Sequence, residues 1–189
     1  KTAFTTKWHR NFLIGRRLRT SSSVAMKSYG CYRHYTMVAE SGASVPEIYN
    51  GKEQPTASAG AIFYIRDEDT FMFFLRDDKP GIPCPNQIDI IGGAMDVGES
   101  PEQAARREFS EELINLDTGE PFDPENLRPF IMDEEYGGVT QNLFGCELET
   151  RPNLRLLEGQ QLVYLTRSEI ATTKFAFGYE DFANRYADF

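Results

Sequence analysis

From about residue 57 onward, short apolar runs alternate with polar turns. The runs "SAGAIFYIR" and "TFMFFLR", separated by "DED", are rich in aromatic and β-branched residues and predict a pair of strands. A third run, "IDII", follows the proline-rich loop "DDKPGIPCPNQ" and leads into Gly92–Gly93. Further strands are predicted at "LRPFIMDEE", "TQNLFGCELE" and "QLVYLT".

Ser100–Leu116 has helical rather than strand periodicity. Ser100 is a favourable N-cap, Pro101 suits the first helical position, and Gln103 completes a capping box. The apolar positions of this segment recur at helical spacing, at Ala105, Phe109, Leu113 and Leu116. We therefore expect one amphipathic helix that ends near Leu116.

The C-terminal segment "RSEIATTKFAFGYEDFANRYADF" predicts a short helix and then an amphipathic helix at Tyr179–Tyr186. Its aromatic stripe (Tyr179, Phe182 and Tyr186) is interpreted as core packing rather than as a platform for stacking bases. The element order β-β-β-α-β-β-β-α predicts an α/β (α+β) fold, with a mixed sheet sandwiched between helices.

The first part of the chain has a different composition. Residues 1–36 are basic, rich in Ser and Thr, and free of acids, and "SGASVPEIYNGKEQPTASAG" resembles a linker. We expect residues 1–56 to be a poorly ordered basic leader and linker, and residues 57–189 to be the folded domain. The leader resembles an organellar transit peptide, although a non-native or mispredicted leader explains it equally. A cytoplasmic location is expected, or a mitochondrial one if the leader is a transit peptide.

Charge and apolar content limit the classes of partner. No apolar run approaches the roughly 20 residues of a membrane helix, so a soluble protein without a membrane partner is expected. Residues 41–189 carry 12 basic and 28 acidic side chains, a net charge of −16 that should repel nucleic acid. The three cysteines and two histidines form no zinc-type cluster. An acidic protein that handles phosphates would need divalent cations between itself and its substrate.

Three glutamates lie on one face of the predicted helix. Glu108, Glu111 and Glu112 stand at i, i+3 and i+4, where like charges repel one another by a few tenths of a kcal/mol per pair. A hard divalent cation such as Mg²⁺ prefers carboxylate oxygens and bridges them to substrate phosphates. The arrangement therefore suits a metal site.

An ordinary solvated helix is the alternative interpretation. Glu102–Arg106 and Arg107–Glu111 are spaced i,i+4 and could form ion pairs of ~0.3 kcal/mol each. The preceding glycines decide between the two interpretations. Gly92–Gly93 directly follows a strand, and glycines there permit the close backbone approach that phosphate and metal loops require.

The spacing of these residues resembles the Nudix signature. Gly93, Glu99 and the segment Arg107-Glu108-Phe109-x-Glu111-Glu112 match G-x5-E-x7-R-E-U-x-E-E-x-G-U in order, where U is bulky and apolar. The resemblance covers about residues 57–189 and implies a MutT-like, Nudix-type α/β/α sandwich with a mixed sheet. It also implies hydrolysis of a nucleoside diphosphate linked to another group, with Mg²⁺ or Mn²⁺ as cofactor.

The resemblance implies roles for the matching residues. Glu111 and Glu112 would be metal ligands, together with the Gly93 carbonyl. Glu108 would be a metal-side carboxylate or the general base, oriented by Arg107.

Two further glutamates are given roles by the same resemblance. Glu99 would support the loop. In "LLEGQQLVYL", Glu158 would be a second base or ligand, although an ordinary loop glutamate is an equal interpretation.

The chain departs from the family pattern at the end of the signature. Ile114 and Asn115 occupy the positions of the glycine and the apolar residue. Because that glycine normally ends the helix, we expect the helix to run further or to exit differently. The metal-side acids precede this point, so the chemistry is expected to survive.

A small-molecule nucleotide is expected, with a nucleoside triphosphate favoured over ADP-ribose-like diphosphates and nucleotide sugars. A metal-activated water would attack phosphorus. The alternative is a catalytically silent module of the same fold that binds nucleotide or a protein partner, and a homodimer stays open. Four aromatic residues could stack on a base but are interpreted as packing: Tyr136, Phe144, Phe177 and Tyr179.

Overall fold

The computed structural model describes residues 48–49, 52–53 and 55–188. The expected leader and most of the linker lie outside these residues, as does Phe189. Within the linker, strands β1 (Ile48–Tyr49) and β2 (Lys52–Glu53) pair antiparallel. Across the described ranges, no helix is long and apolar enough to cross a bilayer.

The domain that follows is built mostly of strands. These are β3 (Ala57–Ile65), β4 (Thr70–Leu75), β5 (Ile88–Asp89), β6 (Ile91–Ala94), β7 (Leu113–Asn115), β8 (Arg128–Tyr136), β9 (Val139–Leu148), β10 (Leu154–Leu156) and β11 (Gln161–Leu165). The helices are α1 (Pro101–Glu112), α2 (Arg167–Ile170) and α3 (Glu180–Ala187), with a 3₁₀ turn at Ala176–Gly178.

The main sheet is mixed, as the sequence predicts. Its strand order is β11-β4-β3-β9-β8, with β5 paired to β4 and β6 paired to β3. The central pair, β3 and β9, is parallel, and the other pairs are antiparallel. Strands β7 and β10 form a separate antiparallel pair. Because β6 lies along β3, the glycines that precede α1 are fixed to the centre of the sheet.

Helices cover both faces of this sheet. Phe63 of β3 packs in one core with Phe109 of α1. The two rings are arranged edge to face, with their centroids 5.4 Å apart. The neighbouring Ile62 points to the other face, where it shares a second core with Phe182 of α3. This alternation follows from the two-residue period of a strand. It confirms the sandwich and the interpretation of the C-terminal aromatic stripe as core packing.

Helix α1 is shorter than predicted. Its capping box forms as expected, with Gln103 N–H donating to Ser100 Oγ and Ser100 N–H donating to the Gln103 side chain. The helix nevertheless ends at Glu112, and the extended Leu113 begins β7 instead of continuing to Leu116. The predicted end was wrong because β7 pairs with β10. The backbone of Leu113–Asn115 therefore forms a strand pair instead of a further helical turn. Leu116, counted in the apolar stripe, is 49% exposed.

Other boundaries differ in smaller ways. The run "IDII" is divided into β5 and β6 at Ile90, which is buried but lies in neither strand. Strand β10 and the 3₁₀ turn were not predicted. Both are three residues long, and so too short for a periodic pattern to reveal.

Candidate active site

An ion pair closes the loop between β6 and α1. Arg107 Nε donates to Glu99 Oε1 at 2.8 Å, and its Nη2 donates to Glu99 Oε2 at 3.0 Å. Glu99 Oε2 also accepts from the backbone N–H of Asp96 at 2.9 Å. These bonds hold the pKa of Glu99 below its usual range and raise that of Arg107. Glu99 thus supports the loop, as the family resemblance implies.

The same guanidinium orients the next glutamate. Arg107 Nη1 donates to Glu108 Oε1 at 2.7 Å, and Nη2 also donates to the Ala94 carbonyl at 2.8 Å. Glu108 is mostly buried, with a side chain 14% exposed, and burial raises its pKa although Arg107 opposes the shift. A Cβ atom added at Gly93 would lie 2.6 Å from the Glu108 carboxyl carbon. The glycine therefore makes the space that this carboxylate occupies.

Glu112 is the most buried acid of the predicted set. It is 6% exposed, it accepts a bond from the Gly92 backbone N–H, and its Oε2 has no hydrogen-bond partner in the part of the chain that the structure describes. Burial raises its pKa to about 9, and the charges of Glu108, Glu158 and Asp89 contribute. A buried, unpaired carboxylate is costly unless a cation compensates it.

Glu111 and Glu158 lie at the solvent side of this cluster. Glu111 is 59% exposed, and its Oε2 lies 3.5 Å from Arg107 Nη1. Glu158 is exposed in the loop between β10 and β11, which is fixed to the end of α1 because Leu157 N–H donates to the Glu112 carbonyl at 2.7 Å. Its charge raises the pKa of both Glu108 and Glu112. The loop thus brings Glu158 to the acidic face of the helix.

All the predicted residues therefore meet in one place, at the junction of β6, α1 and the loop after β10. Over residues 55–188, however, no group of three acids, cysteines or histidines is gathered closely enough to form a coordination shell. The donors themselves suit a hard divalent cation, since all are carboxylate or carbonyl oxygens. The unpartnered Glu112 Oε2 and the space beside Gly93 fit the same interpretation.

A cleft of about 220 Å³ opens beside β6, next to the acidic cluster. Gly92–Ala94 forms part of its wall, and Arg76 and Asp89 line it as a mostly buried ion pair with Nη1 and Oδ2 2.7 Å apart. Burial raises the pKa of Asp89 to about 6. Phe177 also lines the cleft, with the Arg76 guanidinium carbon 5.0 Å from the centre of its ring.

The sequence interpretation missed the Arg76–Asp89 pair. A single signal was available, an acid within the apolar run "IDII", because a charge in a buried strand requires a partner. The partner is 13 residues away, directly after the end of β4, so no spacing rule identifies it. Of the four aromatic residues considered for stacking, Phe177 and Tyr179 line the cleft and Phe144 is buried in the core.

Comparisons with known proteins agree on the fold. A family model described as the NUDIX domain matches residues 55–175. A solved MutT structure from work on Aliivibrio salmonicida and Vibrio cholerae is 18% identical with a TM-score of 0.54, covering 71% of this chain and 97% of that one. The MutT protein of Methanosarcina mazei Go1 is 19% identical with a TM-score of 0.52, covering 72% of this chain and 96% of that one.

A curated relative is similar over a shorter stretch. The tRNA-cytidine(32) 2-sulfurtransferase of Yersinia pseudotuberculosis serotype IB is 31% identical over 96 residues, covering 45% of this chain. The match spans 30% of the length of that protein. It therefore covers a minority of both chains.

Proposed function

This chain belongs to the Nudix family, and from that premise we propose that it hydrolyses the diphosphate bond of a nucleoside diphosphate linked to another group. A nucleoside triphosphate is the favoured substrate. The products are a nucleoside monophosphate and a second phosphate species. Mg²⁺ or Mn²⁺ is the proposed cofactor, since an acidic protein and an acidic substrate need a cation between them.

One observation carries this proposal: the buried carboxylate of Glu112 has an unpartnered oxygen and faces the charges of Glu108 and Glu158. Without a cation, the site holds several acids whose mutual repulsion favours protonation. A protein that did not use this cluster would gain stability by losing it. A divalent cation would offset the repulsion, and the cluster would then serve as its binding site.

The residues proposed to hold the cation are the Gly93 carbonyl and the carboxylates of Glu108, Glu111 and Glu112. When bound, a divalent cation polarises a phosphoryl oxygen and lowers the pKa of water. The protein fixes the positions of these oxygens. The Gly92 N–H holds one side of Glu112, and Arg107 holds Glu108.

Glu108 is the first candidate for the general base. Its burial raises its pKa, which makes it a stronger proton acceptor than an exposed glutamate, and Arg107 fixes its orientation. Glu158 is the second candidate because it is exposed and faces both Glu108 and Glu112. Arg107 acts through Glu108 and is a positioning residue.

The test is product release from a panel of nucleoside triphosphates, ADP-ribose-like diphosphates and nucleotide sugars, each with Mg²⁺, with Mn²⁺ and with chelator. Glu112→Gln should lower metal-dependent turnover by orders of magnitude while the protein stays folded. Glu102→Gln is the matched control, since Glu102 lies on the same helix but pairs with Arg106 away from the cluster. An active Glu112→Gln variant, or folded wild type that hydrolyses nothing on the panel, would reject the proposal.

A further inference from the structure

We propose that Gln160 is a positioning residue that holds Glu158 at the acidic cluster. This inference rests on the proposed function, because it gives Glu158 a place in the reaction and identifies what keeps it there. Gln160 lies outside the helix that carries the other glutamates. It acts through the loop of residues 157–160, to which Glu158 also belongs.

The position of Glu158 depends on the backbone of its loop. In the part of the chain that the structure describes, the Glu158 carboxylate makes no hydrogen bond or ion pair. The other two acids that it faces are held directly. Arg107 Nη1 donates to Glu108, and the Gly92 N–H donates to Glu112. Because Glu158 has no such partner, the contacts of residues 157, 159 and 160 must determine where its carboxylate lies.

Two backbone hydrogen bonds fix the ends of this loop. Leu157 N–H donates to the Glu112 carbonyl at 2.7 Å, which attaches the first residue of the loop to the end of α1. Gln160 N–H donates to the Leu75 carbonyl at 2.8 Å, which attaches the last residue to the end of β4. The loop therefore joins the acidic helix to the main sheet, with Glu158 between the two attachments.

The side chain of Gln160 adds a third attachment. Its Nε2 donates to the Arg76 carbonyl at 2.7 Å and to Asn86 Oδ1 at 3.1 Å. An amide nitrogen carries two N–H groups, so it can serve both acceptors. Asn86 is itself fixed, because its N–H donates to the Asp77 carbonyl at 3.2 Å. Gln160 thus fastens the Glu158 loop to both ends of the segment between β4 and β5.

Gly159 brings the same loop into close contact with β4. Its φ is +105°, and an added Cβ would lie 2.8 Å from Phe74 Cδ2 and 2.9 Å from the Leu75 carbonyl oxygen. The backbone directly after Glu158 therefore packs on the strand. Loss of the two Gln160 side-chain bonds would loosen the loop at this point. A displacement of 1 Å at a reacting group can cost about 100-fold in rate.

Positioning can be separated from folding at this residue. Gln160 is exposed, so its side-chain bonds contribute little to the stability of the whole domain. A substitution should shift Tm by about 2 °C or less. Gln160 is also absent from the lining of the cleft beside β6. Its loss should therefore affect the placement of Glu158 rather than the fold or the binding of substrate.

The test uses Gln160→Met, which keeps the length of the side chain and removes both donors. Amide hydrogen exchange, followed by NMR in chelator, reports on the loop without metal or turnover. The Leu157 N–H should exchange about tenfold faster in the variant, because its bond to Glu112 opens more often. With metal and substrate, kcat should fall by about tenfold and KM should change by less than about twofold.

Gln161→Met is the matched control. Gln161 is the next residue, is exposed, and makes no side-chain hydrogen bond to any residue that the structure describes. Its substitution should leave both the exchange rate and kcat unchanged. The double variant of Glu158→Gln and Gln160→Met should be no slower than Glu158→Gln alone, since Gln160 acts through Glu158.

The outcomes separate this inference from the proposed function. Unchanged exchange at Leu157, a Glu158→Gln variant with the kcat of wild type, or fully additive losses in the double variant would each overturn the inference. A hydrolase would still stand in all three cases. If wild type hydrolyses nothing on the panel, the proposed function fails, and the exchange rates still decide whether Gln160 fixes the loop.

Discussion

Arg107 and Glu99 form a two-point ion pair across the loop between β6 and α1, with N–O distances of 2.8 and 3.0 Å. The same guanidinium donates from Nη1 to Glu108 Oε1 at 2.7 Å. Arg107 therefore couples the conformation of the loop between β6 and α1 to the orientation of Glu108, the first candidate for the general base. Because Glu99 contacts Arg107, a change at Glu99 should alter the orientation of Glu108.

Arg107→Lys should lower kcat by about tenfold or more, because an ammonium cannot hold Glu99 and Glu108 with the geometry of a planar fork. Glu99→Gln should have a similar effect. The double variant should be no worse than the worse single variant, since both act through one contact. Steady-state kinetics on the three variants measures this coupling. Fully additive losses would mean that Arg107 and Glu99 act independently.

Three acids of the cluster could be placed side by side from the sequence because they are close together in the chain. Glu108, Glu111 and Glu112 share a helical face by their spacing alone, and Arg107 comes with them. The end of α1 was harder to predict. Whether Ile114 continues a helix or enters a strand depends on Arg155, its partner in the β7–β10 pair. Tertiary pairing decided this boundary, and local propensity did not.

The cleft was beyond prediction for a related reason. Ser58, Arg76, Asp89, Gln141 and Phe177 come from five separate parts of the chain, and the sheet order brings them together. Each has an ordinary local explanation when it is considered alone. The positive φ of Phe177, which sets it apart, has no signature in the sequence.

Gly93→Ala should fold but lose activity. A Cβ there would lie 2.6–2.7 Å from the carboxyl atoms of Glu108, so that side chain must move. Gly119→Ala is the complementary control. It has open space around it but a φ of +78°, so alanine should cost about 1 kcal/mol of stability and leave activity intact. Thermal unfolding and initial rates on both variants check the contrast. An active Gly93→Ala enzyme would show that the position of Glu108 is unimportant.

Stability in chelator should fall as pH rises, because Glu112 has a pKa of about 9 in the folded protein against an ordinary value of 4.5. The folded state then binds this proton more tightly than the unfolded state does. Stability contributed by the protonated group is complete below about pH 4.5 and is lost progressively up to about pH 9. Glu112→Gln removes this titration, so its Tm should exceed that of wild type by a margin that grows from pH 5 to pH 9.

Scanning calorimetry of both proteins across this range measures the margin. Adding Mg²⁺ at pH 8 should raise the Tm of wild type more than that of the variant, because the cation binds the ionised carboxylate. Tm curves that stay parallel from pH 5 to pH 9 would show that Glu112 does not titrate differently in the folded state.

Asp89→Asn should destabilise the fold by roughly 3 kcal/mol, because it leaves the mostly buried charge of Arg76 without its counter-ion. Asp188→Asn breaks an exposed pair with Arg167 and should cost less than about 1 kcal/mol. Urea unfolding of the two variants compares them directly. Equal losses would mean that solvent reaches the Arg76–Asp89 pair.

Glu158→Gln decides between a catalytic and an ordinary loop glutamate. The loop that carries Glu158 is fixed by the bond from Leu157 N–H to the Glu112 carbonyl, and this backbone contact survives the substitution. If Glu158 accepts a proton in the reaction, kcat should fall by about 100-fold, and the acidic limb of the pH–rate profile should change. Glu120→Gln removes an exposed acid outside the cluster and controls for the loss of one charge. A rate and a pH profile equal to those of Glu120→Gln would leave Glu108 as the general base.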